Sequence, residues 1–263
     1  MYDDFETETS FTYLKDVIKV LDEPICILGG WAVFFLVNKD FKETKGRPYL
    51  GSRDIDLGFH IKKDISDKEL KTSVLAKAIN IIEKKLKFEP HGTSRYFKEI
   101  NRETGKEIQK GKIIPKHDTF EMYIDPIVDN IPKNFNKVFK FKPIDEPLLS
   151  HAFENINNRA ELEEFDKKLW LPSSELLIAT KINSLKDRDK EHKKIKDICD
   201  IFALLWHSEE SASNLRLKAQ KFLTQKKIRE SLSTIKDEDL KKASEQLDYT
   251  PEEIRKVIFT LKN

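Results

Sequence analysis

Residues 51–60 read GSRDIDLGFH, with Asp54 and Asp56 alternating with Ile55 and Leu57. That alternation has the period of a β-strand, in which residues i and i+2 point to the same side. Ile55 and Leu57 are expected to face a core, and the two carboxylates to share the opposite face. Like charges that close repel, and both stay ionised only beside a counter-charge. A hard divalent cation held by oxygen, Mg²⁺ or Mn²⁺, is one such counter-charge. Phosphoryl and nucleotidyl transfer need the same arrangement, because the cation neutralises phosphate oxygens. Taken alone, a D-x-D triplet equally describes two solvated aspartates at a strand end.

The neighbourhood makes the triplet more specific. Upstream, ILGGWAVFF places a short apolar strand (25–28), then Gly29 and Gly30, then a helix. Backbone amides at a helix N-terminus hold phosphate, and glycine lets it approach closely. A lone Gly-Gly marks only a tight turn, but the order strand, Gly-Gly, helix, loop, D-x-D strand is far rarer. Downstream, TFEMYIDPIVDN alternates again and puts Glu121, Tyr123 and Asp125 on one face. Pro126 points to an edge strand or a strand end there, since proline cannot donate to a ladder.

Composition fits a chain with a wet, charged surface: 263 residues, 36% charged and 38% hydrophobic. No apolar run approaches the roughly 20 residues that span a bilayer. The acidic, polar start MYDDFETETS reads as neither a signal nor a transit peptide, so a cytoplasmic location is expected. Cys26 and Cys199 read as core thiols without disulfide or metal spacing. His60, His117 and His151 lack metal-ligand spacing too, with His60 reading as a wall or surface residue, and no P-loop is present. A net charge of +2 makes no strong case for nucleic acid, although a small basic face is compatible with it.

The two halves differ in pattern. In the first, Phe11, Leu14, Ile18 and Leu21 predict a helix over 11–21. Ser66 and Glu69 form a capping box opening a long amphipathic helix. SRYFKEI and KEIQKGKII, joined by NRETG, predict a hairpin. From about Pro147 the pattern is mainly helical. Ser173 or Ser174 caps one helix, Ile195, Ile198, Phe202 and Leu205 line one face of another, and Thr250, Pro251 and Glu253 open the last. The expected fold class is α+β with a mixed α/β sheet: an N-terminal domain over 1–145 and a helical C-terminal domain over 146–263.

On Leu28-Gly29-Gly30 and Asp54-Ile55-Asp56 the chain resembles the polymerase-β-like nucleotidyltransferase superfamily, whose fingerprint is hG[GS], a helix, then DhD on the next strand. The resemblance implies a nucleotidyltransferase-fold N-terminal domain. Toxin and minimal branches of the superfamily write R-x-T-x-D-h-D. Here Ser52 fills the threonine place and Leu50 the arginine place, leaving Arg47 or Arg53 as substitutes. A third carboxylate is implied on a neighbouring strand: Asp125, with Glu121 in reserve. The segment 171–206 resembles the helical part of AbiEii-type nucleotidyltransferases through Pro172, Glu175, Lys181, Leu185, Arg188, Lys196, Asp197, Asp200 and Leu204. That likeness implies a phosphate contact for Lys181 and a site role for Asp197. Asp197 equally reads as a salt-bridge partner of Arg188 or Lys193, and Asp200 as a partner of Lys196.

The resemblance implies transfer of a nucleoside monophosphate from an NTP to an acceptor hydroxyl, with release of pyrophosphate. Asp54, Asp56 and Asp125 would hold Mg²⁺ or Mn²⁺, and Gly29, Gly30, Ser52, Arg53 and Lys181 the nucleotide. The acceptor would be tRNA or a protein, in the setting of a toxin with an antitoxin partner. Two alternatives stand beside it: a catalytically silent nucleotide- or partner-binding module, and modification of a small molecule such as an aminoglycoside. A basic surface favours tRNA, and an acidic cleft the small molecule.

Overall fold

A computed structural model describes residues 3–262. The chain divides into two compact units, one holding the residues up to Gly29 together with Gly51–Leu171, the other Gly30–Leu50 and Pro172 onward. This division falls elsewhere than a single cut between 145 and 146. Residues 146–171 pack with the sheet, and 30–50 pack with the C-terminal helices.

The first unit is built on one eight-stranded mixed sheet. Its strands are β1 (Ile25–Ile27), β2 (Asp54–Phe59), β3 (Glu89–His91), β4 (Arg95–Asn101), β5 (Thr119–Val128), β6 (Ile144–Asp145), β7 (Arg159–Glu164) and β8 (Lys167–Pro172). They run in the order β3-β4-β5-β2-β1-β8-β7, with β6 paired to β5. β2 lies parallel to β5 and antiparallel to β1, and β1 is parallel to β8. As the alternation requires, Ile55 and Leu57 are fully buried. The helix Asp4–Val20 starts at Asp3, whose carboxylate accepts from Glu6 N at 2.7 Å, and buries Leu14, Val17 and Ile18.

Four expectations need correction. Residues 106–114 form no strand; β4 pairs with β3 and β5 instead, and only Ile100 bridges to Glu107. The helix opened by the Ser66–Glu69 box ends at Lys71, because Ser73 caps a second one (Val74–Asn80) by accepting from Ala76 N. A serine hydroxyl that bonds the backbone in this way competes with helix continuation. Pro126 lies within β5, a central strand and not an edge. It is accommodated beyond Ile124, the last residue of β5 that pairs with β4. Finally, the second half contributes a hairpin, β7–β8. Phe165 and Asp166 both have positive φ at its turn, as a two-residue type I′ connection requires. Leu169 and Leu171 are fully buried there, alternating with Lys168 and Trp170.

The second unit contains helices Ser174–Leu185, Glu191–His207, Ala212–Ala219, Gln225–Ser233, Asp237–Leu247 and Pro251–Phe259, with most of Gly29–Lys45. Ile195, Ile198, Phe202 and Leu205 are buried as one apolar face. The Thr250–Glu253 capping box is formed, whereas Ser173, at the N-cap of its helix, makes no side-chain cap bond. Trp31 is core, as are both cysteines. Among the described residues no helix is long and apolar enough to cross a membrane.

His207 ties this unit together. Its Nδ1 lies 2.6 Å from Asp40 Oδ2, its Nε2 lies 3.1 Å from the Tyr249 hydroxyl, and its ring packs edge-on against Phe41. Burial lowers its pKa below 6.5, although Asp40 pulls the other way. The unfolded chain therefore takes up this proton first, so the contribution to stability is complete above about pH 6.5 and is lost as pH falls through the folded pKa. The urea midpoint of the wild type should accordingly converge on that of His207→Gln between about pH 7 and pH 5; a gap that widens on acidification would contradict this.

Candidate active site

The acids gather on β2 and β5. In their parallel ladder Asp54 lies opposite Tyr123, and Asp56 opposite Asp125. Residues directly opposite in a ladder share a face, so Asp54, Asp56 and Asp125 all project to one side of the sheet. Asp125 is 4% exposed. The counter-charge is Arg95, the first residue of β4. Its Nε and Nη2 donate to the two oxygens of Asp125 at 2.6 and 2.7 Å, and Nη2 also reaches Asp54 Oδ2 at 2.9 Å. The guanidinium lies 3.9 Å from the centre of the Tyr123 ring. Burial alone would lower the Arg95 pKa, but the bonds and charges of Asp125 and Asp54 outweigh it and hold it above the usual arginine range. Fork-to-carboxylate geometry of this kind is among the strongest pairings available to side chains.

Glu121 is differently engaged. It accepts from the Tyr123 hydroxyl and faces Glu99 across the β4–β5 ladder. It lies four positions before Asp125, about 13 Å along a strand. Of the two candidates for a third acid, the structure sets Asp125 directly beside Asp56.

Gly29 meets the same cluster from β1. Its φ is +60°, and a Cβ there would lie 1.8 Å from Asp56 Oδ2. The approach follows from the antiparallel β1–β2 register, continued by a bond from Leu28 N to Asp56 O at 3.0 Å. Only glycine combines that φ with that closeness. Ser52 is buried two residues before Asp54. Gly30 is buried and belongs to the helical unit. Arg53 pairs with Glu6 at 3.5 Å and lies over the Phe120 ring. Arg47 bonds Asp248 and Gln246 O within the helical unit. The arginine at the acids is therefore Arg95, which sequence reasoning missed. Its signal was its place at the head of a strand next to the acidic one.

Lys181 and Asp197 lie in a buried ionic cluster of the helical unit. Lys181 Nζ is 2.9 Å from Asp197 Oδ1 and 2.6 Å from Asp200 Oδ2. Arg188 Nε donates to Asp197 Oδ2 at 2.6 Å, Lys196 bonds Asp200, and the Tyr49 hydroxyl donates to Asp200 Oδ1 at 2.7 Å. Burial opposes both charges, but the two aspartates raise the Lys181 pKa and the cations lower that of Asp197. The pairings of Asp197 with Arg188 and of Asp200 with Lys196 are thus both present, and Lys181 neutralises both acids.

One further pair stands beyond the strand ends. His60 Nδ1 lies 2.5 Å from Oδ2 of buried Asp129, whose Oδ1 accepts from Ile61 N. The ring remains partly exposed beside Phe153.

Three carboxylates are the right donor chemistry for Mg²⁺ or Mn²⁺. As arranged they do not fit a cation: Arg95 takes up both oxygens of Asp125 and one of Asp54. Among the described residues no group of three or more His, Cys, Asp or Glu side chains is placed to hold a metal ion.

No family model and no curated protein matches the chain. Among solved structures it is similar to an antigenic nucleotidyltransferase-like protein from Paracoccidioides brasiliensis, at 18% identity over 94% of each chain and a TM-score of 0.41.

Two outcomes follow from these contacts. Gly92 shares the φ of Gly29 but has open space around it. Gly92→Ala should cost about 1–2 kcal/mol, the left-handed penalty alone. Gly29→Ala should cost clearly more in chemical denaturation, because the carboxylate of Asp56 must also move. Lys181→Met should destabilise the protein by about 3–5 kcal/mol, since it leaves buried acids short of a counter-charge. A lysine serving only to contact nucleotide would leave the denaturation midpoint unchanged.

Proposed function

We propose that this protein is a nucleotidyltransferase that moves a nucleoside monophosphate from an NTP to a hydroxyl of an RNA acceptor, with tRNA the leading candidate. The observation that carries the reading is the approach of Gly29 to Asp56 on the face shared with Asp54 and Asp125. A glycine turn closing on paired acids at the start of a helix suits a triphosphate bound through backbone amides and presented to carboxylates. In the reaction the acceptor oxygen bonds to the α-phosphorus, the bond to the bridging oxygen breaks, pyrophosphate leaves, and the hydroxyl proton passes to a base. Asp125 is the acid assigned to align or deprotonate the acceptor. Gly29, Gly30 and Ser52 are assigned to the triphosphate. The expected Mg²⁺ or Mn²⁺ would require Arg95 to release Asp54 and Asp125. A toxin role with an antitoxin partner rests on the AbiEii resemblance alone.

RNA is favoured as acceptor by charge. Between Asp129 and Asp145 the chain carries Lys133, Lys137, Lys140 and Lys142 and no acidic residue. All four lysines are exposed, over an aromatic cluster of Phe135, Phe139 and Phe141. The segment is tied to the β3–β4 turn, where Lys142 N donates to Thr93 O at 2.7 Å, and Phe141 packs on Tyr96, whose side chain alternates to the face of β4 opposite Arg95. A lysine-rich rim suits a phosphate backbone and opposes a cationic aminoglycoside.

Incubation with labelled NTPs, Mg²⁺ and total RNA should label RNA. Asp56→Asn should abolish labelling without shifting the melting temperature by more than a few degrees. The quadruple replacement of Lys133, Lys137, Lys140 and Lys142 by Glu should weaken RNA use about tenfold or more and flatten its salt dependence. Absence of transfer to RNA, to protein and to aminoglycosides would favour the silent nucleotide-binding module, a reading that the Arg95 clamp on the acids also suits.

A further inference from the structure

The sheet face that carries the acids continues past them, and there it turns aromatic. Asp54 of β2 lies opposite Tyr123 of β5, Tyr123 opposite Phe97 of β4, and Phe97 opposite Glu89 of β3. Side chains directly opposite share a face, so this row crosses four strands on the acid side. Phe97 stands two strands from Asp54, about 10 Å away. His91 lies opposite Arg95 in the β3–β4 ladder, on the same face. The rings of His91, Phe97 and Tyr123 form one cluster. Phe97 stacks on Tyr123 at 6.3 Å, and His91 packs on Phe97 at 4.7 Å and on Tyr123 at 5.4 Å. Tyr123 is buried with the Arg95 guanidinium over its ring, whereas Phe97 is half-buried and His91 exposed.

We propose that Phe97 and His91 form a stacking shelf for an unpaired nucleotide of the acceptor RNA, an assignment that rests on the reading of RNA as acceptor. Aromatic side chains presented on antiparallel strands stack unpaired bases, because every base has a π-face; a base inside a duplex offers none. The core does not need these rings. Tyr96 and Ile100, on the other face of β4, are the ones buried in it. Charge favours a nucleic acid strand along the β3 edge. Lys110 bonds Glu89 at 3.0 Å at the start of β3, and Lys112 is exposed two residues further on. Lys142 is anchored at the β3–β4 turn, which closes the other end, by its backbone bond to Thr93. Phosphates on either side of a base stacked on Phe97 would meet these cations. Glu99 and Glu121 face each other beyond the shelf and repel phosphate on that side, which keeps the strand to the β3 edge. A terminal nucleotide seated here would present its hydroxyl towards Asp54 and Asp125.

Binding of RNA without NTP tests the shelf. A short fluorescein-labelled single-stranded RNA, followed by anisotropy, should bind the wild type at least about tenfold more tightly than a blunt duplex of the same length. Phe97→Leu keeps an apolar side chain but removes the π-face, and should weaken single-strand binding about tenfold. Phe97→Trp should bind as the wild type does. His91→Ala, at an exposed position, should weaken binding several-fold. Lys110→Gln combined with Lys112→Gln should lower the slope of log affinity against log salt by about 1–2. Unchanged binding by Phe97→Leu overturns the shelf. So does equal affinity for duplex and single strand, which would assign the RNA to the lysines alone, and so does a wild type that binds no single strand. If Phe97→Leu fails to fold, His91→Ala decides in its place. Stacking without any nucleotide transfer would sink the transferase reading and leave the shelf standing, whereas transfer to RNA indifferent to Phe97→Leu would do the reverse.

Discussion

Carboxylates close together in a protein interior must find positive charge, and both units of this chain are organised around that requirement. In the sheet unit, one guanidinium serves Asp54 and Asp125. In the helical unit, Lys181, Lys196 and Arg188 serve Asp197 and Asp200. The two solutions differ in kind. The helical cluster is deeply buried, and each of its acids meets two cations, which suits a fixed structural network. The sheet cluster is gripped by the fork of Arg95 at the start of β4, where the side chain stays partly exposed.

The sheet sets up the acid cluster through register. Because β2 and β5 are parallel and in step, the two-residue period of each places Asp54, Asp56 and Asp125 on one face. A slip of β2 by one residue would turn Asp54 and Asp56 into the core, away from Asp125, and bring Ile55 and Leu57 out, so burial of those two side chains and placement of the paired acids are one constraint. Gly29 adds a second fixed point, because its backbone tolerates the carboxylate of Asp56 where any side chain would collide. The local geometry of the site thus follows from strand pairing and one left-handed glycine.

Much of this was legible in the chain. Period-two alternation disclosed β2 and β5 with their shared acidic faces, and cap residues disclosed helix starts at Ser66 and Thr250. What escaped depended on distant partners. The β7–β8 hairpin was masked by its charged residues, and of its apolar side chains Leu169 and Leu171 are the ones fully buried. Ser73 broke a helix that the hydrophobic period would have continued. Arg95 could not be assigned, because a single arginine announces its carboxylate partners only when its strand is known to lie beside theirs. Asp200 could be paired with Lys196 along its own helix by spacing and Asp197 with Arg188 just before it, but the contribution of Lys181 required knowing how two helices pack.

The parallel pairing of β1 with β8 bears on the order in which the protein is made. β1 leaves the ribosome early, yet one of its two neighbours is encoded far downstream, after every other strand of the sheet. Until that late strand arrives, an apolar three-residue edge beside the glycine turn has unmet hydrogen-bonding groups, the kind of edge that recruits foreign strands. Nascent chains of this protein would therefore depend on swift completion of synthesis, or on a chaperone shielding that edge, to reach the folded state.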